Sequence, residues 1–186
     1  MTKRYIDSDL SLAILGLLSQ RPMSGYALRK VFLTTALKAF SGSPGAIYPA
    51  LRRLEQGGLV EGTVEKKDTL RPRKVFGLTR RGRTALVDSM TRPVRREDVI
   101  RRMGGLMLRF SFMSGLVGAD KMREFLGALA SQTEDYLREL EAESRRILPG
   151  FSFTGRAALE QGVETYRTTA RWARKTLAAL KKQSSL

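Results

Sequence analysis

The stretch Ser41–Gly62 reads SGSPGAIYPALRRLEQGGLVEG and decides how the first half of the chain is interpreted. Ile47, Leu51 and Leu54 recur at i, i+4 and i+7, which predicts one apolar face of a helix. The two consecutive glycines that follow predict its end, because glycine tolerates positive φ. Pro49 lies inside the pattern, so we expect the helix to be irregular or to begin late, just ahead of this proline.

The remaining faces of this helix carry side chains suited to nucleic acid. Tyr48, Arg52 and Arg53 fall largely away from the apolar face, where they are suited to hydrogen bonds with phosphates and base edges. Ala46 is small enough for close approach. The candidate DNA-contacting residues of this segment are Ser43, Gly45, Ala46, Tyr48, Pro49, Arg52 and Arg53.

The flanking sequence predicts further helices and a hairpin. A first helix is expected at Ser8–Ser19 and a second after Ser24, each capped by its serine. The second helix has four side chains available for burial, Tyr26, Leu28, Val31 and Phe32. Leu59–Glu65 and Lys74–Thr79 read as strands joined by a charged turn. Three helices followed by a basic two-stranded wing form a winged helix-turn-helix.

The wing concentrates positive charge in nine positions, at Lys66, Lys67, Arg71, Arg73 and Lys74. Cations around a turn are suited to tracking a phosphate backbone or entering a minor groove. A solvated basic hairpin tip is the alternative. Together with the order of the helices and the charge of the whole chain, the pattern favours phosphate contact.

Composition points to the same class of partner. The 186 residues carry 34 Lys and Arg against 18 Asp and Glu, a formal net charge of +16, with excess positive charge in both halves. Such a balance indicates a polyanion, nucleic acid before an anionic membrane surface. The chain has no Cys and no His, which removes disulfides, thiol nucleophiles and the commonest general base and zinc ligand. We therefore expect no catalytic residues, no metal site and no cofactor.

The apolar run Leu10–Leu18 resembles the core of a signal peptide. Asp7 and Asp9 interrupt its approach, no small-residue cleavage pattern follows, and nine residues fall far short of the about 20 that span a bilayer. We interpret it as a buried helix of a cytoplasmic protein without a membrane partner.

Residues 91–186 are predicted to be wholly helical. Helices are expected at about 95–116, 119–148 and 154–182, with a break at Thr91–Val94 before them. Two long amphipathic helices in fewer than a hundred residues expose an apolar stripe, and a second copy of the chain is the simplest partner for it. We therefore divide the chain into a DNA-binding domain, 1–90, and a helical dimerisation domain, 91–186, which is also where an effector would bind.

The motifs together resemble the PadR family of bacterial transcriptional regulators. GAIYPALRRLEQGGLV followed by RPRKVFGLTRRGR matches the family's G-x-x-Y-P-x-L-x-x-L-E-x-x-G-L recognition helix and a wing ending in R-K-x-[YF]-x-L-T-x-x-G. The resemblance extends over Leu10–Arg83 and includes LAILGLLSQRPMSGYAL. It implies a mainly α fold and a homodimer that binds a roughly palindromic operator, usually as a repressor.

The resemblance also implies roles for individual residues. Tyr48 matches the motif tyrosine expected at the DNA backbone, and Arg73 and Lys74 match the basic pair of the wing. Phe76 and Leu78 match wing positions that pack on the core. FMSG and EQGVETYRTTARWARKTLAAL resemble the tail helices of the family's longer-tailed branch.

A small aromatic or phenolic effector is a further expectation, since some family members bind such compounds. Trp172, the only tryptophan, is a candidate to stack on a planar ligand, and Arg109 is a candidate cationic partner for it. The alternatives are an ordinary core or interface aromatic for Trp172 and a salt bridge to a neighbouring helix for Arg109.

The leading hypothesis is a homodimeric, operator-binding repressor. Two others stay open: a sequence-indifferent, nucleoid-type DNA-binding protein and a winged-helix module whose basic surface meets an acidic protein. Competition between promoter and random DNA separates the first two, and loss of all DNA binding at low salt favours the third.

Overall fold

The structure of the protein is a computed structural model that describes residues 6, 8–40, 43–65 and 72–183. The chain forms two compact units, Met1–Met90 and Thr91–Leu186. It is mainly α-helical, and the strands of the described residues form one small antiparallel sheet.

Unit 1 begins with two serine-capped helices, as the sequence predicts. Helix α1 spans Asp9–Gln20, and the Ser8 hydroxyl accepts a hydrogen bond from the Ser11 amide at 3.2 Å. Helix α2 spans Gly25–Thr34, capped in the same way by Ser24. A short 3-10 helix, Ala36–Phe40, follows. These caps satisfy amide groups that would otherwise lack a partner at a helix start.

Helix α3 spans Pro44–Gln56 and runs through Pro49. The expectation of an irregular or late start is therefore wrong. Proline lacks the N–H that would bond the carbonyl of Gly45, so one helical hydrogen bond is lost. Both residues are exposed, and water can reach that carbonyl, which lowers the cost of the missing bond.

Helix α3 ends as the two glycines predict. Gly58 has a φ of +67°, and the amides of Gly58 and Leu59 bond the carbonyls of Glu55 and Leu54, each at 2.9 Å. This double reverse bond is a Schellman motif. It turns the chain directly into the wing.

The sheet has three strands, β1 (Met23–Ser24), β2 (Val60–Glu65) and β3 (Arg73–Leu78), in the order β1-β3-β2. Strands β2 and β3 form the wing. In the β2–β3 register Gly62 lies opposite Phe76. The two-residue strand β1 was not foreseen from the sequence, because it is too short to show alternation. Helix α4, Arg80–Thr91, follows, and the Thr79 hydroxyl accepts from the Gly82 amide at 2.9 Å.

The core of unit 1 is built from the apolar faces of these elements. Its largest fully buried side chains are Phe32, Ile14, Leu15, Leu28, Ile47, Leu51, Leu54, Leu59, Leu86 and Met90. Phe76 is buried as expected, whereas Leu78 is half-buried. The predicted apolar face of α3 is therefore the face that packs on the core.

Unit 2 is helical throughout its described residues, but its first helix is broken. Helix α5 spans Arg96–Arg101 and α6 spans Met103–Ser111, separated by Arg102 with φ −137° and ψ 32°. The prediction of one helix over 95–116 is wrong. Two consecutive glycines after the break favour it, since each costs roughly 0.5–1 kcal/mol in a helix relative to alanine.

Two long helices complete unit 2. Helix α7 spans Ala119–Ile147, and after a 3-10 turn α8 spans Phe153–Gln183, close to the predicted bounds. They are about 43 and 46 Å long at about 1.5 Å per residue. Small side chains, among them Ala130, Ala170 and Ala173, are buried between elements of this unit. No helix within the described ranges is long and apolar enough to cross a membrane.

Candidate nucleic-acid interface

The exposed face of α3 is the centre of the candidate interface. Ile47, Leu51 and Leu54 are at most 1% exposed, whereas the opposite face is open to solvent. Tyr48 is 42% exposed. The exposed residues of this face are Pro44, Gly45, Tyr48, Pro49, Arg52, Arg53 and Gln56, with Ala46 half-buried. The helix therefore presents the predicted contact residues together and away from the core.

The two arginines of α3 carry the charge of that face. No side-chain hydrogen bond or ion pair to another of the described residues involves Arg52 or Arg53. Their guanidinium groups are thus available to phosphate or to base edges, which an arginine contacts through two parallel hydrogen bonds. Ser43 is exposed and precedes the helix, but its hydroxyl makes no capping bond.

Tyr48 is positioned by the neighbouring helix. A Cβ placed on Gly25, the first residue of α2, would lie 2.6 Å from Cε1 of Tyr48 and 3.3 Å from its Cζ. The tyrosine ring therefore lies directly against the backbone at the start of α2. The contact requires glycine at position 25 and limits the orientations open to the ring.

Tyr26 was expected to be available for burial, and this expectation is wrong. Its side chain is 68% exposed, because residues 25, 28 and 32 form the buried face of α2 and position 26 falls outside it. Tyr26 directly follows the glycine that supports Tyr48, so it adds a second exposed tyrosine beside the candidate interface. A count of positions along α2 would have revealed this, since 26 is not in register with 28 and 32.

The wing cations are held by carboxylates. Arg73 donates from Nη2 and Nε to Oε2 of Glu65, at 3.0 and 3.3 Å, across the two strands. Lys74 donates to Glu55 in the last turn of α3, with Nζ 2.7 Å from Oε1. Both cations remain about half-exposed. Lys66, Lys67 and Arg71, the other predicted contacts of the wing, lie outside the described residues.

The candidate effector residues of unit 2 belong to one aromatic cluster. The rings of Phe110 and Phe125 stack with centroids 5.9 Å apart, and Trp172 meets Phe110 edge-on at 5.5 Å. The guanidinium of Arg109 lies 5.1 Å from the Phe125 ring centroid. Residues 109 and 172 are therefore brought together through the two phenylalanines, a connection that sequence spacing alone does not show.

Arg109 is 6% exposed and donates a hydrogen bond to the carbonyl oxygen of Arg92. Burial lowers the pKa of Arg109 to about 10, with the nearby positive charge of Arg92 acting in the same direction. The side chain thus keeps its charge at neutral pH in a largely apolar surrounding. A buried cation of this kind is suited to binding an anion when a ligand reaches it.

The described ranges contain no group of three or more acidic, histidine or cysteine side chains arranged to hold a metal ion.

Two family models match parts of the chain, one in each half. Residues 14–88 match the transcriptional regulator PadR-like family, and residues 106–181 match a domain described as virulence activator alpha C-term. Comparison with curated protein sequences yields no significant match.

Several solved structures are similar to the chain. Bacillus subtilis PadR in complex with operator DNA is 22% identical, with 92% of this chain and 98% of that chain covered and a TM-score of 0.45. The PadR-like regulator BC1756 from Bacillus cereus is 27% identical, with coverage of 94% and 99% and a TM-score of 0.41. Bacillus subtilis PadR in complex with p-coumaric acid is 23% identical, with coverage of 93% and 99% and a TM-score of 0.40.

Proposed function

We propose that the chain is a regulator of the PadR-like family, which residues 14–88 match and whose members are DNA-binding proteins and not enzymes, and that it binds operator DNA sequence-specifically as a homodimer and represses transcription. The observation that carries this proposal is the exposed face of α3, where Tyr48, Arg52 and Arg53 stand together away from the core. A recognition helix of a helix-turn-helix unit enters the major groove through residues near its N-terminal part.

The groups of this face divide between two kinds of contact. Tyr48, close to the start of α3, is suited to a phosphate, as are Ser43 and the backbone near Gly45. Arg52 and Arg53, one turn further along, are suited to base edges or phosphates. The wing residues Lys66, Lys67, Arg71, Arg73 and Lys74 are assigned to the flanking backbone, and this assignment stays a prediction.

The homodimer is proposed from unit 2. Helices of 29 and 31 residues pack together, yet α8 buries few large apolar side chains. Phe151, just before α8, and Phe153, its first residue, are 41% and 77% exposed. Apolar surface of this kind is stabilised by a second copy of the same chain. Two-fold symmetry then implies a roughly palindromic operator with half-site centres about 34–36 Å apart.

A small aromatic acid is proposed as the effector. Its carboxylate would meet the buried charge of Arg109 and its ring would join the cluster of Phe110, Phe125 and Trp172. Bacillus subtilis PadR has been solved with p-coumaric acid, which makes that compound the natural first probe. We also propose that the protein acts in the cytoplasm, because its proposed target is chromosomal DNA.

Selection of duplexes from a randomised library by the full-length protein tests the central proposal. We expect one roughly palindromic sequence to be enriched, and to be bound at least about a thousandfold more tightly than a scrambled duplex of the same composition. Equal binding of both duplexes would instead identify a sequence-indifferent DNA-binding protein.

Two further measurements test the assembly and the sign of regulation. Analytical ultracentrifugation of the free protein should show a dimer. The same measurement on the complex should show one dimer bound to each selected site. A reporter gene placed behind the selected site should be expressed less when the protein is present. Increased expression would make the protein an activator.

A further inference from the structure

An ion pair joins the recognition helix to the wing, and the lysine side chain of this pair lies over a glycine of β2. Lys74 on β3 places Nζ 2.7 Å from Oε1 and 2.8 Å from Oε2 of Glu55, in the last turn of α3. A Cβ on Gly62 of β2 would lie 2.0 Å from Cε of Lys74 and 2.8 Å from Oε1 of Glu55. The lysine stem therefore lies across Gly62, and any larger residue there would displace it.

The pair also resolves a local electrostatic conflict. A carboxylate in the last turn of a helix faces the negative end of the helix dipole, which is unfavourable without a compensating cation. Lys74 supplies that cation, and its Nζ lies 5.2 Å from the centroid of the Phe76 ring. The ammonium group is thus held by a carboxylate and an aromatic face, both provided by the protein itself.

A second ion pair of the wing provides a contrast. Arg73 and Glu65 face each other on β3 and β2, so their pair ties the two wing strands to each other. Only the first of these two pairs connects the wing with α3. Removing either glutamate changes the charge by the same amount, but only the removal of Glu55 also removes the ion pair between the wing and the recognition helix.

We propose that Glu55, Gly62 and Lys74 form a clamp that fixes the wing against α3 and thereby sets the specificity for operator over random DNA. The inference rests on the proposed function. Binding of random DNA depends mainly on total positive charge. Operator binding additionally requires the groove contacts of α3 and the backbone contacts of the wing at the same time, and preorganisation lowers the cost of that arrangement. Glu55 and Lys74 act in it as positioning residues.

The test compares Glu55→Gln and Gly62→Ala with the control Glu65→Gln in the full-length protein. The probes are the duplex that the wild type selects from a randomised library and a scrambled duplex of the same composition. Glu55→Gln should lower the ratio of operator to scrambled affinity by about fivefold, the scale of a half-exposed ion pair. Gly62→Ala should do the same without any change in charge, and Glu65→Gln should raise both affinities by the same factor.

Two results would overturn the clamp. In the first, Glu55→Gln raises the affinities for the selected and the scrambled duplex by the same factor, as is expected for Glu65→Gln. Glu55 would then do no more than repel phosphate. In the second, Gly62→Ala keeps the wild-type ratio although its Cβ displaces Lys74. Thermal unfolding of each variant establishes that the fold is retained. Failure of the wild type to select any sequence would refute the proposed function instead, which keeps the two failures distinct.

Discussion

Tyr48 of α3 rests directly against the backbone of Gly25 at the start of α2, with only 2.6 Å between its Cε1 atom and the place where a Cβ would be. The contact couples the first two elements of the helix-turn-helix. It also explains why an exposed tyrosine on α3 keeps a defined orientation, since the ring has a fixed surface on one side.

Substitution Gly25→Ala should therefore weaken operator binding by displacing the Tyr48 ring. A separation of 2.6 Å is too short for two carbon atoms, so the ring or α2 must shift. We expect a loss of affinity of about tenfold, equivalent to about 1.4 kcal/mol, by fluorescence anisotropy with labelled operator. Gly118→Ala, at a site with nothing within 4 Å, is the matched control and should bind as the wild type does.

Substitutions on the exposed face of α3 should reduce binding without affecting the dimer. Arg52→Ala removes an exposed side chain, and Tyr48→Ala removes a ring that is 42% exposed and packs on Gly25. We expect losses of about 1–3 kcal/mol at a base-contacting position and less at a phosphate. Arg52→Ala should also lower the slope of log affinity against log salt by about 1 if it contacts phosphate.

Arg171→Ala, exposed on α8, is the control for the loss of one surface arginine. It should retain the wild-type affinity for operator. Wild-type affinity in both Tyr48→Ala and Arg52→Ala would contradict the assignment of α3 as the recognition helix, whatever the family of the protein.

Replacement of Pro49 by alanine should stabilise the protein. The substitution restores an N–H that can bond the Gly45 carbonyl, and proline is about 3 kcal/mol less favourable than alanine inside a helix. The greater freedom of the unfolded alanine chain offsets about 0.4–1 kcal/mol of that gain. We expect a net gain of about 2–2.6 kcal/mol in the free energy of unfolding, measured by urea denaturation.

Pro44→Ala is the matched control, because Pro44 occupies the first turn of the same helix, where its missing N–H has no partner to lose. This variant should show no gain in stability. Equal stabilities for Pro44→Ala and Pro49→Ala would mean that Pro49 does not strain α3.

The elements that the sequence predicts well are those fixed by local physics. The apolar spacing of Ile47, Leu51 and Leu54, the serine caps of α1 and α2 and the positive φ of Gly58 all depend on neighbours within a few residues. The two strands of the wing also follow from local sequence pattern. The resemblance to the PadR family implies that Arg73 and Lys74 of the wing contact DNA.

Other features depend on packing between distant segments and could not be predicted. The pairing of Glu55 with Lys74 requires the placement of α3 beside β3, and the contact of Gly25 with Tyr48 requires that of α2 beside α3. The continuous helix through Pro49 shows the same limit from the other side, because helix propensity alone predicts a late start, whereas the solvent exposure of Gly45 and Pro49 lowers the cost of the missing bond. The break at Arg102 is different, since Gly104 and Gly105 are a local signal that favours it.

Stability should depend on pH through the ion pair between α7 and α8. Arg174 donates from Nε to Oε1 of Glu134 at 2.7 Å, and this hydrogen bond lowers the pKa of Glu134 below its ordinary value of 4.5. A lowered carboxyl pKa stabilises the folded state above the unfolded pKa. That contribution is lost as the pH falls from about 4.5 through the lower folded value.

Urea unfolding of wild type and Glu134→Gln between pH 6 and pH 3 measures this contribution. The variant should lose less stability over the interval, and Arg174→Met, which removes the other partner, should show the same reduced loss. The effect should shrink in high salt, because the arginine is about half-exposed. Identical pH profiles for wild type and Glu134→Gln would show that the pair contributes nothing measurable.

Binding of p-coumaric acid should depend on the aromatic cluster of unit 2 and on the buried charge beside it. Arg109 remains charged at neutral pH even with its pKa lowered to about 10, and a carboxylate that reaches it gains a charge-assisted hydrogen bond. Trp172, edge-on to Phe110, offers a ring for stacking. Calorimetric titration of the wild type should therefore show saturable binding, weakened about tenfold or more in Arg109→Met and in Trp172→Leu.

p-Coumaryl alcohol, which differs from the acid only in lacking the carboxylate, separates the two contributions: it should bind the wild type and Arg109→Met with similar, weak affinity. Arg123→Met, which removes a cation of α7 outside the cluster, is the control and should retain the wild-type affinity for the acid. Equal affinity of p-coumaric acid for wild type, Arg109→Met and Trp172→Leu would remove both residues from the effector site. Arg109 would then have a structural role, which includes its hydrogen bond to the Arg92 carbonyl and its contact with the Phe125 ring.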